Sequence, residues 1–173
     1  MNKKYIITGH ARSGKDTVCD ILRLLTNLTF ISSSYILLDE VIYPVLKDKY
    51  GYKTRDECYE RRGEVRNEWF DLLVDYNKDD LARLGKLIFN KADIYCGLRN
   101  INELKAMRKI PGLIDKVIWV DASNRIPPED ISSCTITADD CDYILDNNIV
   151  DNDLIQLHRN IKQMVIDLNI PKY

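Results

Sequence analysis

Short apolar runs alternate along this chain with longer stretches whose apolar positions recur at helical spacing. Lys3 to Thr8 is a β-rich run that stops at Gly9. Gly14 to about Asn27 follows, with Val18, Cys19, Ile21, Leu22, Leu24 and Leu25 on one helical face. Thr29 to Ser34 reads as a second strand, and Leu37 to Tyr50 as a helix disturbed at Pro44 and stopped at Gly51. Arg55 to Asp75 reads as one long charged helix and Lys78 to Lys91 as another. Ala92 to Cys96 is a strand ending at Gly97, Ile101 to Ile110 a helix closed by Pro111-Gly112, and Val117 to Val120 a buried strand. After a polar stretch containing Pro127-Pro128 come a short strand, Tyr143 to Leu145, and a last helix, Asn152 to Leu168, ended before Pro171.

About five strands alternating with helices predict an α/β fold, a parallel sheet with helices on both faces. Ligands of such sheets bind at the carboxyl ends of the strands. Gly9, Ser32 to Ser34, Gly97 to Arg99, Asp121 to Arg125 and Asp146 to Asn148 therefore surround the expected site. No repeat or low-complexity linker divides the 173 residues, a length that suits one domain over 1–173.

Composition narrows the function. With 45% apolar and 30% charged residues, wholesale disorder is excluded. No apolar run approaches the roughly 18 residues that span a membrane, and Tyr5-Ile6-Ile7 is too short for a signal peptide. Residues 1–120 carry 21 basic and 17 acidic groups, whereas residues 121–173 carry 4 and 10. That modest positive excess and a pI of about 5.7 suit a phosphate-bearing small molecule better than a nucleic acid. Five cysteines without a CxxC pair, and only two histidines, argue against a disulfide framework or a zinc site and for free thiols in a reducing cytoplasm.

The chemistry is concentrated in Gly9-His10-Ala11-Arg12-Ser13-Gly14-Lys15-Asp16-Thr17, between the first strand and the first helix. Glycines at its two required positions let backbone N–H groups approach phosphate oxygens, and the following helix adds the positive end of its dipole. Lys15 would reach the β and γ phosphates as a point charge. Position 16 is Asp where the usual pattern has Ser or Thr, so Thr17 would supply the hydroxyl near Mg²⁺. Asp16 either binds the metal, directly or through water, or only favours the helix start.

Arg12-Ser13-Gly14-Lys15-Asp16-Thr17 resembles the P-loop of phage deoxynucleoside monophosphate kinases, a branch of the nucleoside monophosphate kinase superfamily that resembles adenylate and dephospho-CoA kinases. Gly97-Leu98-Arg99-Asn100-Ile101-Asn102-Glu103-Leu104 resembles that family's third-strand exit, and Tyr143-Ile144-Leu145-Asp146-Asn147-Asn148 its final strand and turn. The resemblance implies a P-loop NTPase fold, adenylate-kinase-like, with ATP and Mg²⁺ as cofactors and ATP-dependent phosphorylation of a (deoxy)nucleoside monophosphate. Other readings are a P-loop kinase with another acceptor, a nucleoside in DNA or a small metabolite, and a nucleotide-binding module without turnover.

By the same resemblance Arg99 grips the acceptor phosphate; its other reading is a salt bridge to Glu103. Residues 35–91 form the helical acceptor-binding region, where Arg55, Arg62 and Arg66 share a helix face and bracket a monophosphate, or else form a solvated face neutralised by Glu57, Glu60 and Glu64. Tyr59 and Trp69 either stack on a base or pack in the core. The lid is reduced to Ser123 to Asp130, with Arg125 as its one catalytic arginine. Gly97 stands where the family tends to have a metal-binding Asp, which leaves Asp16 and Thr17, or alternatively Asp121, for Mg²⁺. His10 is expected to face solvent or nucleotide without acid–base work. The partners expected are small nucleotides rather than membrane, in the cytoplasm, the host's if the chain is phage-encoded; the oligomeric state stays open, a homodimer among the options.

Overall fold

A computed structural model describes residues 3–149 and 153–171. Its elements in chain order are β1 (Tyr5–Thr8), α1 (Lys15–Thr26), β2 (Phe30–Ser32), α2 (Ser33–Leu37), α3 (Tyr43–Tyr50), α4 (Arg55–Glu60), α5 (Arg66–Asn77), α6 (Arg83–Lys91), β3 (Ile94–Leu98), α7 (Ile101–Arg108), β4 (Lys116–Asp121), β5 (Tyr143–Asp146) and α8 (Leu154–Asp167).

The five strands form one parallel sheet in the order β2-β3-β1-β4-β5. Side chains alternate across it, as a period of two requires. Tyr5, Ile7, Ile94, Cys96, Ile118 and Val120 join Val18 and Leu22 of α1 and Ile161 and Val165 of α8 in one core. Ile6, Tyr95, Val117 and Trp119 face the other way, onto Leu38, Leu46, Leu84, Ile88, Leu104 and Met107. Helices thus cover both faces, the layered arrangement expected of alternating strands and helices. Strand order reverses at β1, so the crevice at its carboxyl end is open for ligand.

The register of β1 on β3 jumps after Ile7, which faces Cys96, to Thr8, which faces Leu98. Gly97 is the extra residue of this bulge, at φ 95°. A side chain there would be strained, so the position favours glycine.

Several boundaries differ from the sequence reading. The second strand ends at Ser32, and Ser33 already opens α2. The expected helix Leu37 to Tyr50 is interrupted by a wide π turn, Leu38–Ile42, before α3. Pro44 lies in the first turn of α3, where its missing N–H costs least. Gly51, at φ 69°, ends α3 as expected. The expected long helix Arg55 to Asp75 is two helices joined by a 3₁₀ turn at Arg61–Gly63, with Gly63, a poor helix former, at the break. The next helix starts at Arg83 rather than Lys78, where the Asn77 side chain accepts the Leu84 N–H at 3.2 Å. The last helix begins at Leu154, with Asp153 capping Ile155 and Gln156; the expected start at Asn152 lies outside the described residues. No helix among the described residues is long and apolar enough to cross a membrane.

Candidate active site

The loop from Gly9 to Gly14 leaves the carboxyl end of β1 and delivers the chain into α1. Gly9 is at φ 144°, and a Cβ there would lie 2.7 Å from the Val120 carbonyl oxygen. Gly14 is at φ 92°, and a Cβ there would lie 2.5 Å from Asn147 Nδ2. Arg12, between them, is left-handed at φ 62°. Neither glycine position admits another residue without moving its neighbour. Gly14 provides no side-chain cap, so the first N–H groups of α1 remain available for an anion. Lys15 Nζ donates to the Gly9 and His10 carbonyls at 2.9 and 2.6 Å. Burial, and then the nearby Arg99, hold its ammonium below the ordinary lysine value.

Between this loop and the α4–α5 region lies a cavity of about 460 Å³. Lys15, Asp16, Ser32 to Ser34, Tyr59, Arg62, Arg66, Trp69, Gly97 and Arg99 line it. Arg62 lies over the Tyr59 ring, 4.0 Å from its centroid, and donates to the Tyr59 carbonyl at 2.8 Å. Tyr59 packs in turn on Tyr35 and Trp69, so the two aromatics both support the arginine and wall the cavity. Arg62 and Arg66 do not share one helix, because the 3₁₀ turn separates them, yet both reach the cavity. Arg55 does not. Its Nε pairs with Asp39 at 3.0 Å and its guanidinium lies over Tyr35, because α4 ends before the shared face assumed for it.

Arg99 follows β3 and bonds Glu129, Nη1 to Oε1 at 2.8 Å, rather than Glu103. Glu103 is 6% exposed and points instead toward Asn77, beside a smaller cavity of about 180 Å³ lined by Phe70, Leu73, Tyr95 and Thr135 among others. Burial pushes its carboxyl up to about 7, against the lowering effect of the Asn77 amide.

A third cavity, of about 170 Å³, lies on the other side of the loop and is lined by Arg12, Gly14, Thr17, Arg125, Asn147 and Leu157, among others. Arg125 Nε donates to the Asn147 carbonyl at 2.6 Å. The turn Ala122–Ile126 directs it to the β5 exit. Thr17 is likewise separated from Asp16, since adjacent residues of a helix point about 100° apart. Asp16 faces the large cavity, with Cys96 Sγ 3.6 Å from its Oδ1, while Thr17 faces the small one. Asp121 is already engaged by the Ser123 N–H at 3.0 Å and by Asn148 Nδ2 at 2.8 Å. Burial raises its carboxyl, but these hydrogen bonds outweigh that and hold it below the usual range. Among the described residues no three His, Cys, Asp or Glu side chains cluster as a metal cage. Asp16 faces the cavity, a position that fits a magnesium ion carried in on a nucleotide and held through water.

Two residues play parts that the sequence did not announce. His10 turns inward, edge-on to Trp119 at 5.2 Å, and its Nδ1 accepts the Glu129 N–H at 3.3 Å. Glu129 sends Oε2 to the Ala11 N–H at 2.6 Å, so the loop already holds an anionic oxygen where a phosphate oxygen would bind. Its only sequence signal was an acidic residue placed directly after Pro127-Pro128 in the shortened lid.

No family model and no curated protein match the sequence. Solved structures do. An unliganded sugar kinase from Janibacter sp. HTCC2649 aligns over 98% of this chain and 96% of its own, at 14% identity and a TM-score of 0.51. Shikimate kinase from Aquifex aeolicus aligns over 96% of both chains, at 15% identity and a TM-score of 0.50. At these identities the likeness is one of fold: a five-stranded parallel sheet with helices on both sides, the kinase form of the P-loop NTPase fold.

Proposed function

We propose that this chain is an ATP-dependent kinase whose acceptor is a (deoxy)nucleoside monophosphate, converted to the diphosphate. One observation carries the reading: Arg62, Arg66 and Arg99 converge on a single cavity that also contains Lys15. Three guanidinium groups beside a P-loop suit an acceptor that is itself a phosphate, and Tyr59 and Trp69 offer apolar rings to a base. The cavity, at about 460 Å³, falls within the usual range for small-ligand sites.

In this reading ATP enters from the Arg12, Thr17, Arg125 and Asn147 side, with its phosphates over the Gly9–Gly14 loop and its metal ion beside Asp16. Residues 35–91 hold the acceptor. An acceptor phosphate oxygen attacks the γ-phosphorus in line, the bond from that phosphorus to the β–γ bridging oxygen breaks, and ADP leaves with the electron pair. Lys15 and Arg99 neutralise charge on the moving group. The attacking oxygen is already ionised near neutral pH, so no general base is required. The whole chain would act as one kinase domain.

A second acceptor class is a carboxylate-bearing metabolite, favoured by the carboxylate that Arg99 already grips. Both readings are tested by ADP release, coupled to NADH oxidation, against a panel of ribo- and deoxyribonucleoside monophosphates and of hydroxy acids. Turnover with one monophosphate and none with hydroxy acids is the expected result. The reverse pattern selects the second reading, and nucleotide binding without turnover rejects both.

A further inference from the structure

Glu129 lies in the strap that crosses the phosphate loop between β4 and β5, and only 14% of its side chain is exposed. Its two oxygens have different partners. Oε2 takes the Ala11 N–H at 2.6 Å, with His10 Nδ1 at 3.9 Å. Oε1 takes Arg99 Nη1 at 2.8 Å, with Arg66 Nη2 at 3.9 Å. One oxygen is therefore on the loop that would hold the donor phosphates and the other on the arginines that would hold the acceptor. Burial works to raise this carboxyl, but the Ala11 N–H and Arg99 outweigh it and hold it below its usual range, so it is charged at neutral pH.

The strap that carries Glu129 is tied at both ends. Upstream, the Asn124 N–H donates to Asn148 Oδ1 at 2.7 Å and Arg125 holds the Asn147 carbonyl. Downstream, the Thr135 and Ile136 N–H groups donate to the Arg99 carbonyl at 2.9 and 3.3 Å. Pro127 and Pro128 stiffen the approach to Glu129. Meanwhile Lys15 is turned onto the carbonyls of its own loop.

We propose that Glu129 is a built-in substitute for a phosphoryl group, which occupies the nucleotide-free site and which incoming phosphates must displace from Ala11 and Arg99. This rests on the kinase reading, because it takes the Gly9–Gly14 loop as the phosphate cradle. An N–H already accepted by a carboxylate cannot also serve a phosphate at full strength, and two anions cannot share the gap between Ala11 and Arg99 without repulsion. The observed affinity for phosphates is reduced by the fraction of molecules in which Glu129 is in place. Displacement has a second effect: it frees Arg99 and Arg66 for the acceptor, so donor binding prepares the acceptor site.

The test is calorimetric titration of inorganic tripolyphosphate into the wild-type chain, Glu129→Ala, Glu129→Gln and Lys15→Ala, each verified as folded by its melting transition. Glu129→Ala should bind roughly tenfold or more tightly than wild type, and Glu129→Gln, which keeps the shape without the charge, should fall between them. Equal or weaker binding by both Glu129 variants, with wild type binding and Lys15→Ala not, overturns this inference and leaves the kinase reading standing. Absence of binding in every protein, with ATP as well as tripolyphosphate, overturns both. If Glu129→Ala does not fold, the comparison of Glu129→Gln with wild type decides alone.

Discussion

Asn147 Nδ2 donates to the Ser13 carbonyl oxygen at 2.8 Å, and the same amide nitrogen fills the space where Gly14 would otherwise carry a Cβ. The exit of β5 is thereby fastened to the turn of the phosphate loop, 7% exposed to solvent. Asn147→Ala leaves a buried carbonyl unpaired and should cost about 1–3 kcal/mol of stability in a urea titration. Gly14→Ala should do more harm to phosphate binding than Asn147→Ala does, because it forces both the left-handed backbone and the amide to shift.

Lys15→Ala should weaken ATP by about 1.5–3 kcal/mol while leaving the melting temperature close to that of wild type. In the nucleotide-free chain Lys15 bonds only the carbonyls of its own loop, so its removal leaves the sheet untouched. Unchanged ATP affinity by calorimetry would remove the P-loop assignment.

The arginines separate into two groups under steady-state kinetics. Arg62→Ala and Arg99→Ala should raise the acceptor KM at least tenfold, without weakening ATP, because both line the large cavity. Arg55→Ala should leave both constants alone, since its partner is the exposed Asp39 outside that cavity. An effect of Arg55→Ala equal to that of Arg62→Ala would mean that the acceptor extends beyond the cavity described.

The metal dependence should single out Asp16. Asp16→Asn should raise the Mg²⁺ concentration for half-maximal activity several-fold, because a cation in the large cavity loses a nearby carboxylate. Thr17→Val should not shift that concentration, and Asp121→Asn should lower stability through its lost bonds to Ser123 and Asn148 without moving it. A shift caused by Thr17→Val or Asp121→Asn would relocate the ion.

Glu103 gives stability a pH dependence of predictable sign. Its carboxyl is raised from 4.5 to about 7 by burial, so the folded chain binds the proton more tightly than the unfolded chain. Stability on this account is greatest at low pH and falls as pH rises from about 4.5 through about 7. Between pH 5 and 8 the wild type should lose about 2.5 kcal/mol relative to Glu103→Gln, which cannot ionise. Parallel unfolding curves across that range would show that Glu103 is not desolvated.

What the sequence disclosed was chiefly local or periodic. The strands and helices were visible because one face of each meets the sheet, and the phosphate loop because its glycines and lysine lie within nine residues. Strand ends and spacing single out Arg62, Arg66 and Arg99, which line one cavity although the helix assumed for the first two is broken at Gly63. The partners of Arg55 and Arg125 are not legible, because helix breaks and turns of a few residues redirect a side chain without altering the apolar pattern. The alternative reading of Arg99, a salt bridge to Glu103, fails for another reason. Glu103 lies one helical turn away in sequence, but packing buries it against Asn77, while Glu129 arrives from a segment thirty residues on. Contacts across such separations leave no periodic trace.

β1 occupies the middle of the sheet, where Tyr5 lies opposite both Ile94 and Lys116. During synthesis the Gly9–Thr17 segment is made before β3 and β4, the strands that aim it. A nascent chain that has emerged only as far as α6 holds the complete loop sequence and neither neighbour of β1. Even with β3 and β4 in place, Gly14 still waits for the Asn147 amide. Closing such long-range pairs makes folding slow relative to helical chains of this size. The Gly9–Thr17 segment is thus translated ahead of the contacts that fix its shape, and a chain that stops before β5 lacks the Asn147 amide that packs against Gly14.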